Sequence, residues 1–298
     1  MKFLITGGTG FIGGPLCQTL VQQGHELLIL SRRPVKQSTQ MVVRLLPWEG
    51  DEWQRAIEGV GGIINLAGES IAAKRWTPQQ KHLIRESRVQ ATRRLVNAIA
   101  ALSKKPAVLV NASAIGYYGT RGDEAVSETD PPGSGFLAEV CQAWEAEAQR
   151  AESFGVRVVR LRIGLVLGSH GGALAKMVPP FRFFVGGPLG SGRQWVSWIH
   201  LDDVIGLIGW ALTRQDVSGA VNATAPTPVT MRNLCQELGR VMRRPSWAPV
   251  PAGVLRLLLG EMAELLLTGQ RVMPNAALRG GYRFAYPALR PALEACPR

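Results

Sequence analysis

At 298 residues the chain is long enough for one large or two modest domains around a full core. Apolar residues make up 46% and charged residues 19%, which excludes a disordered chain. The formal charge of +12 is scattered without a long basic run or a nucleic-acid-binding motif, so the expected partners are small molecules, phosphorylated ones among them, and not nucleic acid.

The four cysteines, Cys17, Cys141, Cys235 and Cys296, are too far apart for a zinc site or a disulfide framework, and no metal is expected. A reducing cytoplasm is the expected setting. Met1 leads into a strand with no small-residue cleavage site, so no signal peptide is read. The most apolar later stretch, Val254 to Leu267, is broken by Arg256, Glu261 and Glu264 and is too short for a membrane span.

In chain order, the first strand, Lys2 to Thr6, hands over to Gly7-Gly8-Thr9-Gly10-Phe11-Ile12-Gly13 and then to a helix from about Ile12 to Gln23. Glycines at 8, 10 and 13 match G-x-G-x-x-G. They allow a tight turn, a close approach of backbone to pyrophosphate and close packing of helix on strand. The helix start offers unpaired N–H groups to phosphate. Thr6, Gly7, Gly10, Phe11, Ile12 and Gly13 are therefore candidate cofactor contacts.

A second strand, Glu26 to Leu30, ends at Ser31-Arg32-Arg33. An NAD site carries an acidic residue at this point, to bind the ribose 2′-hydroxyl, whereas an arginine accommodates a 2′-phosphate. With Ser31 in the acidic slot and Arg32 and Arg33 after it, NADP(H) is expected over NAD. The competing reading is a pair of solvated loop arginines.

A third strand near Met41 to Leu46 and a short helix, Glu52 to Ile57, lead to a buried-type strand that ends in Leu66-Ala67-Gly68. Small residues there let a nucleotide come close. Next comes a long helix, Pro78 to Ala101, with Thr77 as N-cap. Lys81, Arg85, Arg88 and Thr92 share one of its faces, as a solvated stripe or as a site-facing one.

A fifth strand, Ala107 to Asn111, continues into Ala112-Ser113-Ala114-Ile115-Gly116-Tyr117-Tyr118-Gly119, where a hydroxyl and two phenols follow the end of a central strand. A helix from Phe136 to Phe154 and a sixth strand, Arg157 to Ile163, complete a strand–helix alternation. That alternation specifies an α/β fold, a doubly wound parallel sheet of Rossmann type. Beyond Gly164 the chain loosens into glycine and proline. Gln194 to His200 then alternates like a strand, and Leu201 opens another helix. The expected division is an NADP-binding domain over 1–168, completed by about 194–224, with 169–193 and 225–298 as a smaller C-terminal substrate lobe.

Together these motifs resemble the extended short-chain dehydrogenase/reductase family, the NAD(P)-dependent epimerases and dehydratases of nucleotide sugars. The resemblance rests on the Thr6–Gly13 turn, Asn65-Leu66-Ala67-Gly68, Ser113 with Tyr118-Gly119, Arg162 to Gly168, and Trp198-Ile199-His200-Leu201-Asp202-Asp203. Gly68-Glu69-Ser70-Ile71, Arg75-Trp76-Thr77, Phe136 to Cys141, Trp144-Glu145 and Gly186 to Gly192 are similar to an atypical, epimerase-like branch, some of whose members carry a cell-division-inhibitor label.

The resemblance implies cofactor contacts at Leu66, Ala67, Gly68, Ala112 and Arg162, and a homodimer through the two long helices. The wider family works with a Tyr-x-x-x-Lys pair, in which the lysine lowers the phenol's pKa. Here the matching window reads Phe136-Leu137-Ala138-Glu139-Val140-Cys141. Replacement chemistry could come from Ser113, Tyr117, Tyr118, Glu69, Lys81 or Arg88. Each of these competes with a structural role, as do His200 and the tryptophans Trp76, Trp195 and Trp198. Two functions follow: an NADP-dependent oxidoreductase or epimerase on a small polar substrate, or a non-catalytic NADP(H)-binding sensor or scaffold that acts through a partner.

Overall fold

The computed structural model describes residues 1–32, 42–169 and 171–296. Its centre is one parallel sheet of seven strands: β1 (Lys2–Thr6), β2 (Glu26–Ser31), β3 (Val43–Pro47), β4 (Gly62–Asn65), β5 (Val108–Ala114), β6 (Arg157–Ile163) and β7 (Gly219–Ala223). Their order is β7-β6-β5-β4-β1-β2-β3. The order reverses beside β1, and in open α/β sheets the crevice at such a reversal, outside the carboxyl ends of the strands, is where ligands bind.

Strand periodicity sorts the core into two layers. Phe3 and Ile5 face α1 (Gly13–Gln22) and the later helix Leu201–Thr213, through Leu16, Leu20, Val204 and Ile208. Leu4, one residue out of phase, faces the opposite layer with Trp53, Leu95, Ile99 and Ala148. That layer contains α2 (Glu52–Ala56), α3 (Pro78–Ala101) and α4 (Phe136–Gln149). The Thr77 hydroxyl accepts from the Gln80 amide at 3.1 Å and Pro78 occupies the first turn, so α3 starts where the sequence places it.

A third apolar cluster lies outside the sheet. It joins α5 (Leu174–Arg182) and α7 (Met231–Met242) to the helix Leu289–Ala295 and to the short strands Leu165–Leu167 and Trp198–His200, with Phe181, Trp198, Leu234, Leu238 and Leu293 among its members; α6 (Leu201–Thr213) belongs to the first layer, and α8 (Ala252–Leu259) follows α7 in the chain. Among the described residues no helix is long and apolar enough to cross a membrane. The Val254–Leu267 stretch is instead broken after α8 by Gly260 at φ +61°.

Three expectations shift. β7 forms from a segment with no strand signal of its own. The helix expected to reach Phe154 tightens into a 3₁₀ turn over Arg150–Phe154, ahead of Gly155 at φ +78°. The strand expected over Gln194 to His200 divides at Ser197 into Trp195–Val196 and Trp198–His200, which pair with Val229–Thr230 and Leu165–Leu167 outside the main sheet. The cause is local: the Ser197 carbonyl accepts from Leu165, and its hydroxyl donates to the Gln270 carbonyl and accepts from the Val272 amide.

Candidate functional site

The glycine turn after β1 is held mainly by backbone, with the Cys17 thiol donating to the Gly8 carbonyl at 3.7 Å. Gly7 has φ +70°, and a Cβ there would lie 2.7 Å from the Leu66 carbonyl oxygen; a Cβ on Gly13 would lie 2.2 Å from the Gly7 oxygen. The Gly10 amide donates to that same Gly7 oxygen at 2.9 Å. Loop and helix start are thus packed together where side chains cannot fit; the Gly14 amide donates to the Gly10 carbonyl and Pro15 has no N–H, so at the helix start it is the Gly13 N–H that a phosphate would meet. Ile12 is the N-cap residue of α1 with no side-chain cap. Phe11 leaves the turn in the other direction. Glycines 168, 171 and 172 enclose its ring so tightly that a Cβ on any of them would come within 2.9 Å of it.

Beneath the turn, a polar row crosses three strands in register. Thr6, Asn65 and Asn111 are neighbours in the ladder. The Thr6 hydroxyl donates to Asn65 Oδ1 at 2.6 Å and accepts from the Ala67 amide. Asn65 Nδ2 donates to Asn111 Oδ1 and to Thr92 Oγ1, and Trp144 Nε1 donates to the same Thr92 hydroxyl. All these polar side chains are buried and partnered, so the row ties α3 and α4 to the strand ends and fixes Leu66, Ala67 and Gly68 beside the turn.

At the end of β2, Ser31 receives the Trp48 amide on its carbonyl, and Arg32 projects outward, 3.9 Å from Glu69 at the end of β4. Arg33 lies outside the described residues. Ala112 is buried within β5.

A second buried network lies below the ends of β5 and β6. Arg162 and Glu145 form a two-pronged ion pair, Nε to Oε1 at 2.8 Å and Nη2 to Oε2 at 2.9 Å, with both side chains under 5% exposed. The Ser113 hydroxyl donates to Glu145 Oε1 at 2.7 Å. The Tyr118 hydroxyl donates to Asn222 Oδ1 and accepts from Arg162 Nη1. The Tyr117 ring lies flat against the guanidinium, 3.4 Å from Cζ to the centroid.

Burial works against the Arg162 charge, but the Glu145 carboxylate and the Tyr118 hydroxyl outweigh it and push its pKa up. Burial also pushes the Tyr118 phenol up to about 12. Ser113, Tyr118 and Arg162 are thus buried in one network, Ser113 reaching Arg162 through Glu145. Because the folded phenol keeps its proton above pH 10 while the unfolded one loses it, its contribution to stability is complete below pH 10 and is lost as pH rises toward 12. Alkaline unfolding followed by circular dichroism should shift upward in Tyr118→Phe relative to the protein's own neutral-pH stability.

The α3 stripe is mixed in character. Thr92 is buried, Arg85 is exposed near Glu86, and Lys81 pairs with Glu261 while its ammonium sits 5.4 Å from the Phe136 ring centroid. Arg88 turns inward: its guanidinium lies against Gly68 and 5.3 Å from the Trp144 ring centroid. Burial lowers its pKa, opposed by Cys141 and Glu69. Trp76 packs edge-on to Phe136, with its N–H on the Ile71 carbonyl.

At the start of α4, Leu137 and Cys141 both face Gly116; a Cβ there would lie 3.2 Å from Leu137 Cβ and 3.8 Å from Cys141 Sγ. Burial raises the Cys141 thiol to about 11. His200 caps α6 by accepting the Asp202 amide, packs against the Tyr286 ring at a 43° tilt and has its pKa lowered by burial. Trp195 donates to Asp123 and Trp198 to the Thr227 carbonyl.

Sequence reasoning did not single out Glu145, Asn222 or Thr92 for these roles. The available signal was Arg160 and Arg162 at strand spacing in an otherwise apolar run, since two charges on one buried face need a counter-charge.

The NAD dependent epimerase/dehydratase family matches residues 3–223, and a domain of unknown function, DUF1731, matches residues 250–296. The chain is 44% identical to the chloroplastic epimerase family protein SDR39U1 homolog of Arabidopsis thaliana, over 99% of this chain and 86% of that protein. It is 40% identical to epimerase family protein YfhF of Bacillus subtilis, over 99% and 97%. The crystal structure of human epimerase family protein SDR39U1 (isoform 2) with NADPH superposes with a TM-score of 0.90 at 34% identity, covering 99% of this chain and 98% of that one. From the glycine turn to the end of β7, the chain belongs to the NAD dependent epimerase/dehydratase family.

Proposed function

We propose that the protein binds NADP(H) in preference to NAD(H) and uses it in an oxidoreductase or epimerase reaction on a small polar substrate, without a Tyr-x-x-x-Lys pair. The observation that carries the cofactor reading is the closed glycine turn with Arg32, and no acidic residue, at the end of β2. The human relative crystallised with NADPH supports it. In this reading Gly7 to Gly13 and the start of α1 hold the pyrophosphate, Arg32 the 2′-phosphate, and Leu66 to Gly68 the edge of the cleft. The bound nicotinamide supplies hydride chemistry, and the protein orients it and manages one proton.

On this reading Leu137 and Cys141 stand at the two positions of the missing pair; both lie against Gly116, and neither carries a group that transfers protons at neutral pH. Proton handling therefore falls to groups at the cleft, Glu69, Lys81 and Tyr117, while α5, α7 and α8 form the lobe that receives substrate. Four buried free thiols fit a reducing cytoplasm, and α3 and α4 are the two long helices through which a homodimer would form.

Titration of protein fluorescence with NADPH and NADH tests the cofactor reading. Wild type should bind NADPH at least about tenfold more tightly, and Arg32→Ala should remove most of that difference, about 1.4 kcal/mol. Equal affinities in wild type would overturn it.

One observation favours a second reading, a sensor or scaffold: the Ser113 and Tyr118 hydroxyls are both committed inside the protein. In that case NADP+ and NADPH would change the affinity for a co-purifying protein, and a metabolite screen would give no turnover.

A further inference from the structure

Arg88 lies beside Gly68, past the end of β4, and among the described residues it has no counter-ion. Among the described residues no carboxylate lies within 4.0 Å of it in an ion pair, although Glu69 and the Cys141 thiol are near enough to influence its charge. A guanidinium carries five N–H donors, and here one hydrogen bond is made, from Nη1 to the Ile84 carbonyl on its own helix at 3.0 Å. Its other nitrogens are not among the sealed, unpartnered polar atoms of the described residues, so they remain accessible to solvent.

The side chain is also held in place. The Trp144 ring lies beneath it, and Gly68 is in contact above it: a Cβ at 68 would sit 3.0 Å from Cζ and 3.1 Å from Nη2. Trp144 is itself fixed by its bond to Thr92, which anchors α3 to the strand row. A partly desolvated guanidinium, rigid and with free donors, is built to receive oxygen atoms from a ligand.

The topology says which part of a dinucleotide comes here. The pyrophosphate belongs over the turn after β1, and the 2′-phosphate belongs at β2, on the side of Arg32. The other half must then extend over the ends of β4 and β5, and Gly68 lies in the loop three residues beyond Asn65, the last residue of β4. We infer that Arg88 is a cofactor-binding residue that donates hydrogen bonds to the oxygens of the nicotinamide-side ribose, supplying from α3 the cation that the start of α4 lacks. This rests on the NADP(H) reading above.

Isothermal titration calorimetry with two probes tests it, NADPH and adenosine 2′,5′-bisphosphate, which lacks the nicotinamide half. Arg88→Gln should weaken NADPH about ten- to hundredfold and leave the bisphosphate within about twofold, whereas Arg32→Ala should weaken both. Arg88→Lys, which keeps the charge but not the fork, should fall between wild type and Arg88→Gln. Gly68→Ala, whose methyl displaces the guanidinium while the charge stays in the protein, should reproduce the selective loss. The second and third variants carry the test if Arg88→Gln does not fold. Unchanged NADPH affinity in the folded variants, or equal loss of both ligands, would overturn the inference. A wild type that binds neither probe would overturn the cofactor reading and this inference with it; a wild type that binds both, with the Arg88 and Gly68 variants indifferent, overturns the inference alone.

Discussion

Replacing Glu145 by glutamine is expected to cost about 3–5 kcal/mol of stability, because it leaves the Arg162 guanidinium buried without its counter-charge. For a chain of this size the midpoint of thermal unfolding should fall by on the order of 10 °C. The effect is large because the two side chains are almost fully enclosed and the pair is two-pronged, so solvent cannot replace the lost carboxylate. Arg160, 3.6 Å from the same carboxylate, would add a second poorly compensated charge. A double variant, Glu145→Leu with Arg162→Met, should recover part of the loss, since two well-packed apolar groups need no compensation. Differential scanning calorimetry of the single and double variants decides the matter; a fall of less than about 2 °C in Glu145→Gln would show that the pair does not hold α4 to the sheet.

The same residues show how far the sequence could be read. The strand–helix alternation, the glycine turn and the capped start at Thr77 are local signals, and the structure has the corresponding sheet, turn and helix in place. β7 was invisible because Gly219-Ala220-Val221-Asn222-Ala223 has little strand propensity, and its place is set by its pairing with β6. The fate of Ser113 and Tyr118 was hidden for another reason. A hydroxyl after a strand end reads as a reactive group until its acceptor is known, and the acceptors are 32 and 104 residues away, at Glu145 and Asn222.

Arg88 shows the opposite case. Its spacing with Lys81 and Thr92 shows that they share a face, but whether that face meets solvent depends on Gly68 and Trp144, which come from other elements. Periodicity gives the direction of a side chain on its own helix, whereas the partner waiting there is a property of the fold.

Gly13→Ala should weaken NADPH binding by at least about a hundredfold, or about 2.8 kcal/mol. The added carbon would lie 2.2 Å from the Gly7 oxygen, 2.7 Å from the Gly8 Cα and 2.9 Å from the Gly7 carbonyl carbon, all of them backbone atoms with no rotamer to change. Nor can Gly7 retreat. Its own position is already against the Leu66 carbonyl, and its oxygen is bound by the Gly10 amide. The turn and the start of α1 must separate, which moves the N–H groups away from the place where phosphate oxygens would meet them. The adjacent glycine is the control. A Cβ on Gly14 meets nothing within 4 Å, so Gly14→Ala should keep the stability of the unliganded protein or raise it by up to about 1 kcal/mol, the propensity difference between glycine and alanine in a helix. Calorimetric titration of Gly13→Ala with NADPH, together with thermal unfolding of both variants, separates the two positions. An affinity within about threefold of wild type for Gly13→Ala would mean that the phosphates are not held by this turn.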